Sequence, residues 1–275
     1  MKADIAFGQY CEGSSFLHRL DPRWKILFTV FYIVIIFFAK NIFSFALLLA
    51  SALLLAALSG IRPRILVRSL RPLLFIIVFT TVINIFWLKG ETLLVDFFFI
   101  HIYLEGLINA FLIVLRVMIL VVGTGIFLTY TTTPIALTDG IEQLLAPLAK
   151  LRLPVHEFSM MMTIALRFIP TLVEETEKIM NAQKARGADF VTGSIVKRAK
   201  ALIPILVPLF ISAFRRAEEL ATAMECRCYT GGKGRTRMNV LHSTWRDPVC
   251  ALGLCALLLG VILINRYAPG YALSL

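Results

Sequence analysis

Long apolar stretches without charges recur along the chain and set its organisation. A transmembrane helix needs about 20 mostly apolar residues, and the pattern predicts four clear spans and one short one. The short span is flanked by Trp24, Lys25 and Lys40, which can anchor or snorkel at a membrane interface. The five predicted spans are residues 26–39, 41–58, 72–88, 107–129 and 249–267.

The composition supports a membrane protein. The chain has 275 residues, of which 59% are hydrophobic and 16% charged, and its mean hydropathy is +0.82. An ordinary soluble protein is more polar, and a disordered chain carries far fewer aromatic and aliphatic side chains. The predicted fold class is an all-α integral membrane protein, with about five transmembrane helices and a cytoplasmic domain of long amphipathic helices.

Lysine and arginine positions orient the spans. With the N-terminus in the cytoplasm, the four Arg residues of segment 62–71 lie inside, while the outside receives only Lys40, Lys89 and Arg266. Cytoplasmic loops carry such an excess of basic residues. The net charge of +11 is therefore attributed to cytoplasmic segments rather than to nucleic-acid binding. Residues 92–103 are predicted to form an extracellular hairpin or re-entrant segment.

The region from 130 to 247 is too charged for spans and too apolar for a tail. It predicts amphipathic helices at the cytoplasmic face. Their predicted limits are 137 to about 150, about 157 to 185, and about 196 to 226. The chain thus divides into an N-terminal membrane domain (1–129), a cytoplasmic domain with two Arg-ended helices (130–247) and a C-terminal transmembrane helix (248–275).

An internal repeat relates the two longest amphipathic helices. An offset of 41 residues superposes Glu177 on Glu218, Ile179 on Leu220, Ala182 on Ala223 and Arg186 on Arg227. Each helix ends on an Arg between small residues, and one such Arg would only complement the helix dipole. Two such Arg ends on one side of the membrane instead indicate two docking sites for acidic grooves of partner proteins. A guanidinium suits this role because it binds a carboxylate in bidentate fashion.

With these two Arg-ended helices, the chain resembles the CbiQ/EcfT family. Members of this family are the transmembrane (T) component of energy-coupling-factor (ECF) importers for vitamins and metals. The resemblance covers nearly the whole chain and is most specific at residues 182–190, which match the first of two Ala-Arg-Gly motifs of the family. The second motif departs, because this chain has Cys226-Arg227-Cys228 there. The other matching segments are 18–25, 105–106, 115–116, 131–134, 153–157 and 165–170, with Tyr229, Gly232, Gly234, Arg235 and Thr236.

The resemblance implies a non-catalytic coupling subunit. It implies two ABC-type ATPase subunits as partners, which bind ATP and Mg themselves, and a membrane S component that binds the substrate. No cofactor or metal is expected on this chain, and the expected location is a bacterial or archaeal cell membrane. The residues expected to dock the ATPases are Ala185, Arg186, Gly187, Cys226, Arg227 and Cys228.

A platform for the S component is predicted where the same long helices are almost entirely apolar. An apolar segment joined to a charged helix end cannot lie in water, so we expect it along the cytoplasmic side of the bilayer. The expected platform residues are Met161, Ala165, Phe168, Pro170, Leu202, Pro204, Leu206, Pro208 and Phe210.

Other functions fit the sequence less well. The permease of another ATP-driven importer has a single coupling loop and would not predict two Arg-ended helices. A lipid-modifying membrane enzyme needs convergent His, Asp, Glu or Cys residues, and the sequence shows no such cluster. Residues 231–236 lack the Gly-Lys-Ser/Thr order of a phosphate loop.

Two further features are left with alternatives. Arg116 lies deep in the fourth span and is expected to face the bundle interior. It either pairs with Glu105 or backbone carbonyls, which we favour, or acts as a hinge or S-component contact. Glu174, Glu175 and Glu177 are expected on a solvated helix face, with pairing to Arg215 or Arg216 at a helix crossing as the alternative.

Overall fold

The polypeptide folds almost entirely as α-helices, with one short β-hairpin. The structure is a computed structural model that describes residues 10–11, 13–87, 93–97, 100–147, 154–188, 190, 194–231 and 241–267. Its helices are α1 (Pro22–Phe38), α2 (Ile42–Ser59), α3 (Pro63–Leu70), α4 (Leu74–Trp87), α5 (Leu104–Thr124), α6 (Pro134–Leu145), α7 (Val155–Ala185), α8 (Ile195–Cys226) and α9 (Arg246–Tyr267). Its strands are β1 (Leu93–Phe97) and β2 (Ile100–Tyr103).

The chain forms two compact units. The first, the membrane unit, comprises Met1–Gln143 and Val240–Leu275, and the second, the helical-pair unit, comprises Leu144–Asn239. The predicted domain boundaries, after residues 129 and 247, stay a prediction. β1 and β2 pair antiparallel within the membrane unit, which confirms the predicted hairpin, whereas its extracellular position stays a prediction.

The helical membrane fold class is confirmed. Among the described residues, four helical segments are long and apolar enough to cross a membrane: Ile42–Ser59, Pro63–Asn84, Gly106–Tyr130 and Arg246–Tyr267. They correspond to the second to fifth predicted spans. The third begins earlier than predicted, because a 3₁₀ turn, Arg71–Leu73, joins α3 to α4. The first span coincides with the 17-residue α1, about 25 Å long, and stays a prediction.

The core of the membrane unit is built around α5. This helix lies against α1, α2 and α4, and α9 lies against α1 and α2. Tyr32, Phe45, Leu48 and Ile119 are buried where these helices meet. Gly123 lets α5 approach α1 closely, since a Cβ at that position would collide with the Tyr32 ring. Small residues at such contacts allow the van der Waals packing that holds helices together in a membrane.

A buried polar junction fixes the beginning of α1. Asp21 caps the helix by accepting the Arg23 N–H at 2.9 Å. The Lys25 ammonium donates to the carbonyl oxygens of His18, at 3.2 Å, and Thr131, at 2.8 Å. The Asp247 carboxylate, fully buried, accepts the Asp21 N–H at 3.1 Å. The junction therefore ties α1 to the end of the fourth span and to α9.

Side chains donate hydrogen bonds to two carbonyls at the far end of α1. The last carbonyls of a helix have no partner within the helix. Arg116 donates to the Ala39 carbonyl at 2.9 Å, and Asn265 donates to the Phe38 carbonyl at 2.7 Å. The Arg116 guanidinium also lies 5.3 Å from the centre of the Phe45 ring. The favoured backbone-carbonyl role of Arg116 is thus confirmed.

Candidate functional site

The two long helices of the helical-pair unit form as the sequence predicts. α7 begins two residues and α8 one residue before the predicted start, and both end where predicted. The Ser194 side chain caps α8 by accepting the Lys197 N–H. Pro170 lies inside α7, and Pro204 and Pro208 inside α8, without ending either helix.

The Arg end of α7 is a Schellman motif. In this motif, two amides beyond the helix bond back to carbonyls of the last turn, and the residue after the cap adopts a left-handed conformation. Arg186 is the C-cap, and Gly187 follows with φ +88°. The Gly187 N–H donates to the Lys184 carbonyl at 3.0 Å, and the Ala188 N–H to the Gln183 carbonyl at 3.0 Å. Gly takes this φ without steric penalty.

The Arg end of α8 repeats the same motif. Arg227 is the C-cap, the Cys228 N–H donates to the Glu225 carbonyl at 2.8 Å, and the Tyr229 N–H to the Met224 carbonyl at 3.1 Å. Cys228 has φ +54° and is the only described residue other than Gly with a positive φ. The sequence left the geometry of this second motif open, and the structure shows that Cys228 takes the conformation that Gly takes in the first.

Both Arg ends face solvent. All six residues expected to dock the ATPases are exposed. In the described part of the chain, neither the Arg186 nor the Arg227 guanidinium forms an ion pair or a hydrogen bond. Two exposed forks held on rigid helix caps are suited to bind carboxylates on another molecule.

The two helices cross in opposite directions. Glu175 of α7 contacts Ser212 and Arg216 of α8, whereas Gln183, further along α7, contacts the Pro204 carbonyl, earlier in α8. The two helices therefore pack antiparallel. The Arg ends consequently lie on opposite sides of the crossing.

A three-residue polar contact lies at this crossing. Arg216 donates to one Glu175 carboxylate oxygen at 2.7 Å, and the Ser212 hydroxyl donates to the other. We call Glu175, Ser212 and Arg216 the clasp. The solvated helix face expected for the three glutamates is wrong for Glu175, for which the alternative, pairing with Arg216 at the crossing, is confirmed. Glu174 and Glu177 are exposed, as expected.

The predicted platform residues are mostly accessible. Of the nine, Phe168 is half-buried and the other eight are exposed. Leu202, Leu206, Phe210 and Phe214 recur every four residues, so they share one face of α8, and the last two stack with ring centres 6.3 Å apart. An exposed apolar face of this length indicates contact with lipid or protein.

Some residues of the resemblance cannot be placed. Asp189, Gly232, Gly234, Arg235 and Thr236 lie outside the described residues. Among the residues that are described, no group of His, Cys, Asp and Glu has the arrangement of a metal site.

Comparison with known proteins identifies the family. The family model CbiQ, described as cobalt transport protein, matches residues 13–238. The energy-coupling factor transporter transmembrane protein EcfT of Ruminiclostridium cellulolyticum is 49% identical over 267 residues, which are 97% of this chain and 99% of that protein. The chain belongs to the CbiQ/EcfT family.

Other CbiQ/EcfT proteins are similarly close. The EcfT protein of Brevibacillus brevis is 51% identical over 92% of this chain and 95% of its own length. That of Bacillus subtilis is 45% identical over 94% of this chain and 97% of its own length. As a CbiQ/EcfT protein with several apolar helices, the chain is the transmembrane component of an energy-coupling factor transporter.

Proposed function

We propose that this chain is the coupling subunit of an ATP-driven importer for vitamins or other micronutrients. It joins two ABC-type ATPase subunits in the cytoplasm to a substrate-binding S component in the membrane. The chain itself performs no catalysis and binds no cofactor, since ATP and Mg belong to the ATPases. It resides in the cell membrane of a bacterium or archaeon with its N-terminus in the cytoplasm.

The observation that carries this proposal is the matched pair of exposed Arg ends. Arg186 and Arg227 occupy the same position of the same capping motif on two helices that cross in opposite directions. One partner cannot reach both ends if the helices extend away from the crossing, whereas two similar partners can each receive one. Two copies of one ATPase fold satisfy this geometry.

The partner groove is expected to be acidic. A guanidinium presents its donors in a planar fork that matches a carboxylate. Truncating one partner of such a desolvated pair weakens binding by roughly 2 kcal/mol or more. The carbonyls at the end of a helix carry partial negative charge. An exposed Arg at this position offers its positive charge to an acidic partner.

The apolar face of α8 is proposed as the contact for the S component. Leu202, Leu206 and Phe210 are 49%, 47% and 61% exposed. Met161 of α7, 58% exposed, adds an adaptable side chain that suits a partner surface. Since this face and the Arg227 end belong to one continuous helix, closure of the ATPases can displace the S component.

Docking is tested by reversing both Arg charges. The double variant Arg186→Glu/Arg227→Glu is expected to insert in the membrane but to lose both ATPase subunits on detergent purification. Lys178→Glu/Arg215→Glu makes the same charge change at exposed positions within the same helices, and it should retain the ATPases. Wild-type stoichiometry in the Arg186→Glu/Arg227→Glu sample would refute the docking assignment.

The platform is tested by placing charges on the apolar face. Leu206→Glu and Phe210→Glu are expected to release the S component while the ATPases remain bound. Val196→Glu changes another exposed apolar residue of α8, and it should leave both partners in place. If Leu206→Glu and Phe210→Glu release the ATPases first, or release nothing, the platform assignment is wrong.

A further inference from the structure

The clasp joins equivalent positions of the internal repeat. The offset of 41 residues that superposes Arg186 on Arg227 also superposes Glu175 on Arg216, the two residues that pair at 2.7 Å. Contact between equivalent positions of two antiparallel helices places a local two-fold axis at that contact. The helical pair is therefore nearly symmetric about the clasp.

This symmetry gives the two Arg ends equal distances from the clasp. Arg186 follows Glu175 by 11 residues, and Arg227 follows Arg216 by 11 residues. At the helical rise per residue, each Arg end lies about 16 Å along its helix from the clasp. The two ends point away from each other, so the clasp lies midway between them.

The clasp is one of the equivalent positions at which the repeat carries opposite charges. Equivalent positions hold like charges in some places, such as Glu177 with Glu218, and opposite charges in others, such as Lys178 with Glu219. A like pair at a two-fold contact would bring equal charges together, which is destabilising. Glu175 and Arg216 instead form an ion pair, and the Ser212 hydroxyl donates a hydrogen bond to the second carboxylate oxygen of Glu175.

A second ion pair, Arg215–Glu219, lies next to the clasp and differs from it in exposure. Arg215 and Glu219 pair along α8 at 3.3 Å with side chains 80% and 67% exposed, whereas the Arg216 and Glu175 side chains are 35% and 22% exposed. An exposed pair within one helix adds little and joins nothing across the crossing. The less exposed pair connects two helices and sets how they meet.

We propose that Glu175 and Arg216 are positioning residues that form the pivot of the coupling helices. This inference rests on the proposed function. The clasp holds α7 and α8 at one crossing point, so that movement of one Arg end is transmitted to the other and to the platform. Leu206 and Phe210 lie within ten residues of Arg216 on the same helix. Without the clasp, the helices slide, and ATP hydrolysis no longer moves the platform.

The test uses the complete complex of this chain with its ATPases and S component, reconstituted in proteoliposomes. The variants are Glu175→Arg, Arg216→Glu, the exchange Glu175→Arg/Arg216→Glu, and the milder Glu175→Gln, which keeps the side-chain size. The matched control is the exchange Arg215→Glu/Glu219→Arg. The readouts are retention of both partners, ATPase rate, and substrate molecules transported per ATP hydrolysed.

The expected result is loss of coupling without loss of assembly. Glu175→Arg and Arg216→Glu should each lower transport per ATP by about tenfold, within the range of coupling between contacting residues. Glu175→Gln should lower it less. The Glu175→Arg/Arg216→Glu exchange should recover transport per ATP to within about twofold of wild type, and the Arg215→Glu/Glu219→Arg exchange should match wild type.

The outcomes separate this inference from the proposed function. If the wild-type chain retains no ATPase or S component, the proposed function fails. If the partners are retained but the single variants transport normally, or the exchange recovers nothing, the pivot is refuted. A pulsed spin-label distance between positions 188 and 230, in a chain freed of its five native cysteines, adds a structural readout. It should broaden in Glu175→Arg and sharpen again in the exchange.

Discussion

The end of α8 carries a backbone strain that a single substitution should relieve. Cys228 holds φ +54°, while its equivalent Gly187 holds φ +88°. A residue with a Cβ pays about 1–2 kcal/mol in the left-handed region. The Cys228 side chain is exposed, so no buried contact offsets that cost. Cys228→Gly is therefore expected to stabilise this helix end by about 1 kcal/mol.

Gly187→Ala makes the reverse change at the end of α7, where it adds a Cβ to a residue with positive φ. A Cβ added at Gly187 would meet no atom within 4 Å, so Gly187→Ala introduces no clash. Its cost is the backbone strain alone, again about 1 kcal/mol. The two substitutions should shift the two helix ends by similar amounts in opposite directions.

Amide hydrogen exchange of the purified chain measures both effects locally. The reporting amides are those of residues 228 and 229 in α8, and of 187 and 188 in α7, which donate to the last-turn carbonyls. A change of about 1 kcal/mol in local opening alters exchange about fivefold. We expect slower exchange in Cys228→Gly and faster exchange in Gly187→Ala. Cys226→Ala, which alters the neighbouring thiol without relaxing φ, should change nothing.

Unchanged or faster exchange at 228 and 229 in Cys228→Gly would contradict a strained cap at this helix end. Faster exchange would mean that the thiol contributes more than the strain costs. A Gly187→Ala variant as protected as wild type would show that the Schellman geometry tolerates a Cβ, and the expected gain at position 228 would lose its basis.

Three other predictions test the membrane unit and the docking fork. Asp247→Ala removes three hydrogen bonds from a buried carboxylate and should cost about 2–4 kcal/mol, seen as a lower thermal midpoint in detergent. Gly123→Ala should cost about 1–3 kcal/mol through its clash with Tyr32, whereas Gly253→Ala, with open space around it, should be neutral or stabilising. Arg227→Lys should weaken ATPase retention partly, because the charge stays and the fork is lost.

The sequence was sufficient for features set by local chemistry. Uncharged runs located the second to fifth spans, and the two helix ends were predicted from Arg beside small residues. Gly187 was readable as a cap because only a residue without a Cβ adopts that φ freely. Cys228 was not, because its conformation is imposed by the surrounding hydrogen bonds against its intrinsic preference.

The features that the sequence did not reveal depend on contacts between distant segments. Lys25 is close to Thr131 only in the folded chain, and Asp21 to Asp247 likewise. No periodicity predicts which carbonyl a buried ammonium reaches. The favoured role of Arg116 was pairing with Glu105 or with backbone carbonyls, and identifying the Ala39 carbonyl as its acceptor required the position of the α1 end.

The clasp is an intermediate case, since its signal was present in the repeat. The offset of 41 residues aligns Glu175 with Arg216, as it also aligns Glu174 with Arg215. Opposite charges at equivalent positions indicate a self-complementary contact when the two copies pack antiparallel. The repeat supplied the register, but the direction of packing came only from the structure.

The helical pair combines symmetric ends with an asymmetric centre, and this combination constrains its partners. Identical caps and equal distances to the clasp present the same fork twice, so two partners with the same groove can bind. The centre is not symmetric, because Glu175 of one helix pairs there with Arg216 of the other. Cys228 in place of Gly adds a second difference, at one end. On the proposed function, the two ATPase sites are thus alike in contact chemistry but unequal in backbone strain, which is greater at the Arg227 end because Cys228 carries a Cβ.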